Sequence, residues 1–396
     1  MPGNGNESIR GKCAIAGVGI TEMGKIYDRS VNDFATEAIF LALDNAGLKA
    51  SDLDGLLINS GLEGGLSPAF QNTLGLKDLR LLNHMNAFGA TAASMVQFAA
   101  LAIDAGMANT VACVFADAPL KPDRGAGDAY KSRGVASLPE GYASLMWAYG
   151  YFGANCGYAL AARRHMELYG TTSEQLGAIA VSQRAWATMN PRAQMRTPIT
   201  LADHQASRYV VEPLRLLDCC LVSNGGVAVI VTSAERARDL KQKPAYVLGM
   251  GQGHPGDPQQ AGYEPQVNTG ARQAGQTAFR MAGIAPQDIR ACEIYDCYTY
   301  TVLVTLEDYG FCPKGEGGAF VQNGKLGPGG SLPTNTGGGQ LSSFYMWGMT
   351  PLSEAVLQLQ GQCGERQIAD SRYVLVTGNG GILSYHGCLI LGSEPN

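Results

Sequence analysis

The sequence predicts an α/β protein built from two copies of one unit, with a further segment inserted between them. Three observations carry this. Ala46–Asn59 (AGLKASDLDGLLIN) and Ala282–Tyr295 (AGIAPQDIRACEIY) match at Ala46/Ala282, Gly47/Gly283, Asp52/Asp288 and Ile58/Ile294, all 236 positions apart. Amphipathic helical segments alternate with continuous apolar runs, the pattern of strands buried on both faces. The repeat distance also exceeds one such unit, so something separates the copies.

Each copy begins with an Ala-rich amphipathic segment, Asp33–Asn45 and Gly270–Met281, closed by Gly47 or Gly283 as a helix C-cap and followed by a short apolar strand. The second part of the unit recurs too. A helix from Ser94 to Ala105 precedes a strand at Ala108–Ala116, and a helix from Leu352 to Gln362 precedes a strand at Tyr373–Thr377. The first half is assigned to residues 1–117 and 218–240, the insertion to 118–217 and the second half to 241–396. The insertion opens Pro/Gly-rich and passes an aromatic segment, Tyr142–Phe152. It then gives a helix from Asn155 to Tyr169, stopped by Gly170, and another from Thr171 to Asn190, ended by Pro191. Arg163, Arg164 and His165 either face a ligand's phosphates or form a solvated helix face.

Composition narrows the function. With 396 residues, 45% hydrophobic and 16% charged, the chain can bury a large core. A net charge of −5 without Lys/Arg runs argues against nucleic acid as partner. No apolar run approaches the roughly 18 residues that span a bilayer. The Gly/Asn/Ser-rich Met1–Lys12 reads as a frayed tail and not a signal peptide. Ten cysteines, several inside apolar strands, and five scattered histidines lack zinc spacing, so a reduced, metal-free cytoplasmic protein is expected.

The stretch richest in chemistry is Thr334–Pro351 (TNTGGGQLSSFYMWGMTP), where consecutive glycines lead into Tyr345 between Phe344 and Trp347. Gly249-Met250-Gly251-Gln252-Gly253 is a weak nucleotide-loop pattern, and the adjoining Gly253-His254-Pro255 reads as a loop.

Taken with the duplication, Arg163–Thr200 (RRHMELYGTTSEQLGAIAVSQRAWATMNPRAQMRTPIT), PLRLLDCCLVSNGG and the closing GNGG loop Gly378–Gly381 resemble the thiolase superfamily, within it the sterol-carrier-protein-x thiolases. The resemblance covers nearly the whole chain. It implies a thiolase fold, with duplicated halves in a five-layered αβαβα core and an inserted loop domain over the site. It also implies a dimer and an acyl-CoA substrate. The catalytic positions depart from a true thiolase. The acyl-accepting cysteine falls on Gly89 in Asn86–Ser94, so the nucleophile is missing. The Asn-Glu-Ala-Phe motif becomes Tyr295-Asp296-Cys297-Tyr298, with Cys297 and Tyr298 assigned to the core. The histidine of Gly-His-Pro becomes Tyr345, and the last cysteine falls on Thr377-Gly378-Asn379.

Two tyrosines at those positions resemble the side-chain-cleaving aldolases of steroid catabolism. That likeness implies retro-aldol cleavage of a β-hydroxyacyl-CoA to a ketone and a shorter acyl-CoA such as propionyl-CoA. It also implies a small OB-fold/zinc-ribbon partner, and no cofactor besides the coenzyme A of the substrate. Tyr295 and Tyr345 are then the acid/base pair, their roles open, and both are also acceptable as core aromatics. Asp296 is a candidate to orient a water or a hydroxyl, and His386 a second candidate base. Gly89, Gly380 and Gly381 are candidate backbone donors to the enolate. His84 reads as structural. Two other functions stay open: a non-catalytic acyl-CoA or lipid-binding scaffold, and a thiolase-type acyltransferase.

Overall fold

A computed structural model describes residues 9–61, 64–129, 144–145, 148–151, 153–256 and 267–396. Part of the aromatic segment Tyr142–Phe152, including Tyr142, Trp147 and Phe152, lies outside the described residues, as does most of the N-terminal tail.

Eleven strands are named in chain order: β1 (Cys13–Ile20), β2 (Gly55–Ser60), β3 (Leu81–His84), β4 (Thr110–Asp117), β5 (Tyr209–Val211), β6 (Leu214–Arg215), β7 (Gly225–Ser233), β8 (Ala245–Gly253), β9 (Ala291–Glu293), β10 (Tyr373–Gly380) and β11 (Tyr385–Gly392). The longer helices are α1 (Val31–Ala46), α2 (Thr91–Asp104), α3 (Ala154–Tyr169), α4 (Ser173–Thr188), α5 (Ala271–Ala282), α6 (Thr299–Asp308) and α7 (Met349–Gln360). Nine strands form one sheet in the order β3-β2-β4-β7-β1-β8-β11-β10-β9, and β5 and β6 pair separately.

The duplication is visible in this order. Read inward from each edge, the halves run β2-β4-β7-β1 and β9-β10-β11-β8, with parallel pairing at the edge and antiparallel pairing toward the middle. A bridge from Cys292 to Thr334 stands where β3 would be repeated. The halves meet at β1 and β8 through two residue pairs, Ala14 with Tyr246 and Ile15 with Ala245. Helix α1 covers the outer face of the first half and α5 that of the second, while α2 and α7 lie between and touch strands of both. This is the five-layered αβαβα arrangement.

Local sequence explains the outer layers. Ser30 and Asp33 form a capping box at the start of α1, and Gly47 ends it in the left-handed region at φ 75°. Gly283 does the same for α5 at φ 65°. Close helix–sheet packing has its own signature. A Cβ on Gly17 or Gly19 of β1 would stand 2.3 or 2.1 Å from the carbonyl oxygens of Ala42 and Ala38 in α1. On Gly249 and Gly251 of β8 it would meet those of Ala278 and Ala274 in α5, at 2.2 and 2.0 Å. The glycine run Gly249–Gly253 is therefore a strand that lets a helix lie directly on it and not a nucleotide loop, in keeping with the weakness of that pattern in the sequence.

The middle helices are buried on nearly every side, and all twelve residues of α7 are buried. Gln97 of α2 donates to the carbonyls of Gly251 in β8 and Cys388 in β11, both at 3.0 Å, and so stitches the first half to the second. In the insertion, Thr172 and Gln175 box the start of α4, and Gly170 caps α3 at φ 72°. His165 is not at a phosphate. It is fully buried, within 2.9 Å of Thr171 and 3.0 Å of Glu307, and it ties α3 to α6.

Candidate active site

The turn entering α2 is held from within. Thr91 Oγ1 accepts from Ala87 N and donates to Phe88 O, both at 2.7 Å, and Asn86 Oδ1 accepts from Phe88 N at 3.0 Å. Three glycines let β10 and the start of α7 close on it. Cβ atoms on Gly348 and Gly378 would stand 2.2 and 2.5 Å from Gly89 O, and one on Gly380 would stand 2.4 Å from Ala87 O.

Gly89 faces Tyr295. A Cβ there would lie 2.2 Å from Tyr295 Cε2 and 2.3 Å from Asn379 O, far inside contact distance. The position is glycine because the tyrosine ring fills the space of its side chain.

Tyr295 follows the end of β9. Its N–H donates to Thr377 Oγ1 at 3.1 Å and its carbonyl accepts from Thr301 Oγ1 at 3.0 Å, which fixes the backbone behind the ring. Its hydroxyl lies 3.0 Å from that of Tyr345. Tyr295 is buried, and burial holds its phenol well above the ordinary value. Neighbouring Cys297 and Tyr158 add to the rise, and the hydrogen bond to Tyr345 works against it. Tyr345 is half-buried, and its N–H donates to Ser223 Oγ at 3.0 Å.

The glycine-rich stretch makes one turn of π-helix over Gly339–Ser343, entered through Gly338 and Gly339 at φ 98° and 59°. Asp296 is its anchor. Its carboxylate accepts from Gln340 N at 2.9 Å and from Leu341 N at 3.2 Å. Burial pushes this carboxyl up to about 7, with the amide hydrogen bonds pulling the other way. Adjacent residues thus divide the work: Tyr295 meets Tyr345, and Asp296 holds the turn that leads to it. Behind that turn, Thr336 Oγ1 bonds both Glu293 and Glu354, and Arg366 bonds Glu354 at 2.9 and 3.1 Å.

Residues 258–393 match the family model described as thiolase C-terminal domain-like. The chain is 40% identical to a steroid side-chain-cleaving aldolase of Thermomonospora curvata, over 98% of this chain and 99% of that one. It is 36% identical to the 17-hydroxy-3-oxo-4-pregnene-20-carboxyl-CoA lyase of Mycobacterium tuberculosis, over 94% and 98%. It belongs to the aldolase branch of the thiolase superfamily. A solved Ltp2-ChsH2(DUF35) aldolase superposes with a TM-score of 0.85 at 36% identity, covering 98% of this chain and all of that one. An SCP2-thiolase-like protein from Mycobacterium smegmatis shares the fold, with a TM-score of 0.70 at 19% identity, over 98% of this chain and 79% of that one.

In this thiolase-superfamily lyase, Gly89, Tyr295, Tyr345 and Gly380 come together at the entrance to α2. Gly381 is the next residue, in the left-handed region at φ 58°, followed by Ile382 and Leu383 at 54° and 70°. The closing GNGG loop is in large part strand, since β10 runs through Gly380. His386 is a correction. Gly387 of β11 packs toward Ala90 and Ala93 of α2, so His386, its neighbour on the strand, points to the opposite face. There it lies 2.9 Å from Tyr309 Oη, and burial lowers it to about 3, so it rests neutral in the core. Asp296 is likewise an anchor of backbone amides and not the partner of a tyrosine hydroxyl. Cys297 is buried, its thiol pushed up to about 12 by burial.

Residues not legible in advance are Tyr158, whose hydroxyl accepts from Asn379 Nδ2 at 3.1 Å, and Ser223 behind Tyr345. Ser223 sits in the Ser-Asn-Gly-Gly run beside Asn224, whose amide donates to Ile26 O and Leu120 O. That polar cluster ahead of an apolar strand was the available signal.

Proposed function

We propose that this aldolase cleaves the Cα–Cβ bond of a β-hydroxyacyl-CoA with a bulky, steroid-like apolar portion, giving a ketone and a shorter acyl-CoA such as propionyl-CoA. The observation that carries the reading is the pair of tyrosine hydroxyls 3.0 Å apart, in space that a glycine at position 89 leaves open. The names of the T. curvata and M. tuberculosis relatives support the substrate class.

A retro-aldol step must take a proton from the β-hydroxyl and give one to the carbon that loses its bond. Two hydrogen-bonded phenols can do both without a phenolate at rest. The hydroxyl proton passes to one tyrosine oxygen as that tyrosine's own proton crosses to its partner. In the same concerted shift the partner's own proton goes to the α-carbon of the thioester, which receives the Cα–Cβ electron pair, so neither phenol holds two protons or none. Each phenol gains one proton and loses one, and no nucleophile is consumed. A buried Tyr295 with a raised pKa suits this relay, because ionisation is never required. Backbone amides at Gly89, Gly380 and Gly381 are the proposed enolate donors. Coenzyme A enters as part of the substrate. The name of the Ltp2-ChsH2(DUF35) relative pairs two components, which supports a partner protein for this chain; the proposed assembly is a small OB-fold/zinc-ribbon partner beside a homodimeric core.

The test is mass spectrometry of products from a β-hydroxyacyl-CoA with a bulky β-substituent, partner included. Tyr295→Phe and Tyr345→Phe should each abolish formation of ketone and shorter acyl-CoA. The wild-type rate should be flat between about pH 6 and 8, whereas a phenolate base would give about a tenfold rise per unit below its pKa. Cleavage surviving both substitutions would sink the relay. Tight acyl-CoA binding with no cleavage would favour a scaffold.

A further inference from the structure

Phe88 takes no part in the chemistry above, and the fold leaves it in the open. Its ring is 45% exposed although it directly precedes Gly89, and its backbone is left-handed at φ 52°. Bulky residues rarely hold that conformation unless the surroundings impose it. Trp347, two residues after Tyr345, is left-handed as well, at φ 48°. Both tyrosine-site loops thus spend an unfavourable backbone conformation on aiming an aromatic ring.

The rings form a row. Phe115, in the core, lies 5.0 Å from Trp347, which lies 5.9 Å from Phe88. Phe88 stacks with Tyr385 at 6.3 Å, their planes 25° apart, and Tyr385 is 41% exposed. Tyr385 pairs with Gly380 across β10 and β11 and lies on the face of β11 turned toward α2, the side of the tyrosine pair. The row therefore starts in dry core, passes the position beside Gly89 and ends in solvent.

We propose that Phe88 and Tyr385, backed by Trp347, form a stacking face for the ring-bearing apolar half of the acyl-CoA, and that they determine the preference for ring-bearing over short acyl chains. The proposal rests on the acyl-CoA reading above. An exposed aromatic face gains most from a flat apolar ligand that covers it, and a row of rings offers more to fused rings than to a two- or three-carbon chain.

The experiment is equilibrium binding of a ring-bearing acyl-CoA lacking the β-hydroxyl, with propionyl-CoA as the short comparison, so that no cleavage is needed. Phe88→Ala should weaken the ring-bearing ligand about tenfold or more, the scale of losing one aromatic burial, and change propionyl-CoA less than about threefold. Phe88→Trp should retain the preference. Tyr385→Ala, on ordinary strand backbone, guards against a folding defect at position 88 and should lower the same ratio. Equal weakening of both ligands, or of neither, overturns the proposal. So does a changed oligomeric state with unchanged preference, which would make the rings a subunit contact. Preferential binding lost in these variants while wild type cleaves nothing would refute the lyase reading and leave this one standing.

Discussion

Replacing Gly89 by alanine adds one methyl group at the most crowded point of the site. That carbon would stand 2.2 and 2.3 Å from Cε2 and Cζ of Tyr295 and 2.3 Å from Asn379 O. Gly89 is not among the left-handed glycines, so the cost is space and not backbone conformation. The turn cannot back away, because Gly348 and Gly378 already bring the start of α7 and strand β10 against its carbonyl. The ring must move, and it is tied by its backbone N–H to Thr377 and by its hydroxyl to Tyr345. Overpacking of this kind typically costs about 1–3 kcal/mol. A ring shift of about 1 Å would also break the hydroxyl contact, and such misplacement commonly costs about a hundredfold in rate. Denaturant unfolding and product analysis read the two effects separately. In a Tyr295→Ala background the stability cost should shrink but persist, because Asn379 O remains. An unchanged midpoint with activity within about twofold of wild type would refute the steric link between position 89 and the tyrosine.

The remaining predictions concern the groups around the pair. Folding raises the Asp296 carboxyl from its ordinary 3.8 to about 7, so the stability it contributes is complete below about pH 4 and is lost as pH rises toward 7. Asp296→Asn should flatten that part of the stability–pH curve, and an identical slope in both proteins would contradict the assignment. His386→Phe should leave cleavage within about twofold of wild type but cost about 1–3 kcal/mol, because Tyr309 loses its buried partner. Arg366→Met strands the buried Glu354 carboxylate and should cost about 3–5 kcal/mol in denaturant unfolding.

The duplication was legible because its matched helix ends, Gly47 and Gly283, are caps that act within a few residues and recur at one offset. What stayed hidden depended on through-space contact. Nothing near Gly89 in sequence says that Tyr295 occupies its side-chain space, and both positions stood out only through the family resemblance. His386 was misjudged because β11 is buried on both faces after Tyr385, so no alternation of polar and apolar residues marks which way each side chain points. The alternate glycines of β8 are a weak phosphate-loop pattern in the sequence; their reason is that α5 lies directly on them.

The seam between the halves has a consequence for how activity is lost. Gly89 belongs to one half and both tyrosines to the other, while the sheet joins across only two residue pairs and the Gln97 amide bridges it from above. If the tyrosine pair is the proposed site, its geometry is a product of docking, and neither half carries a weaker version of it. A molecule whose halves part locally, each still folded, would then fall silent all at once, and turnover would gauge interlobe engagement more sharply than any measure of secondary structure.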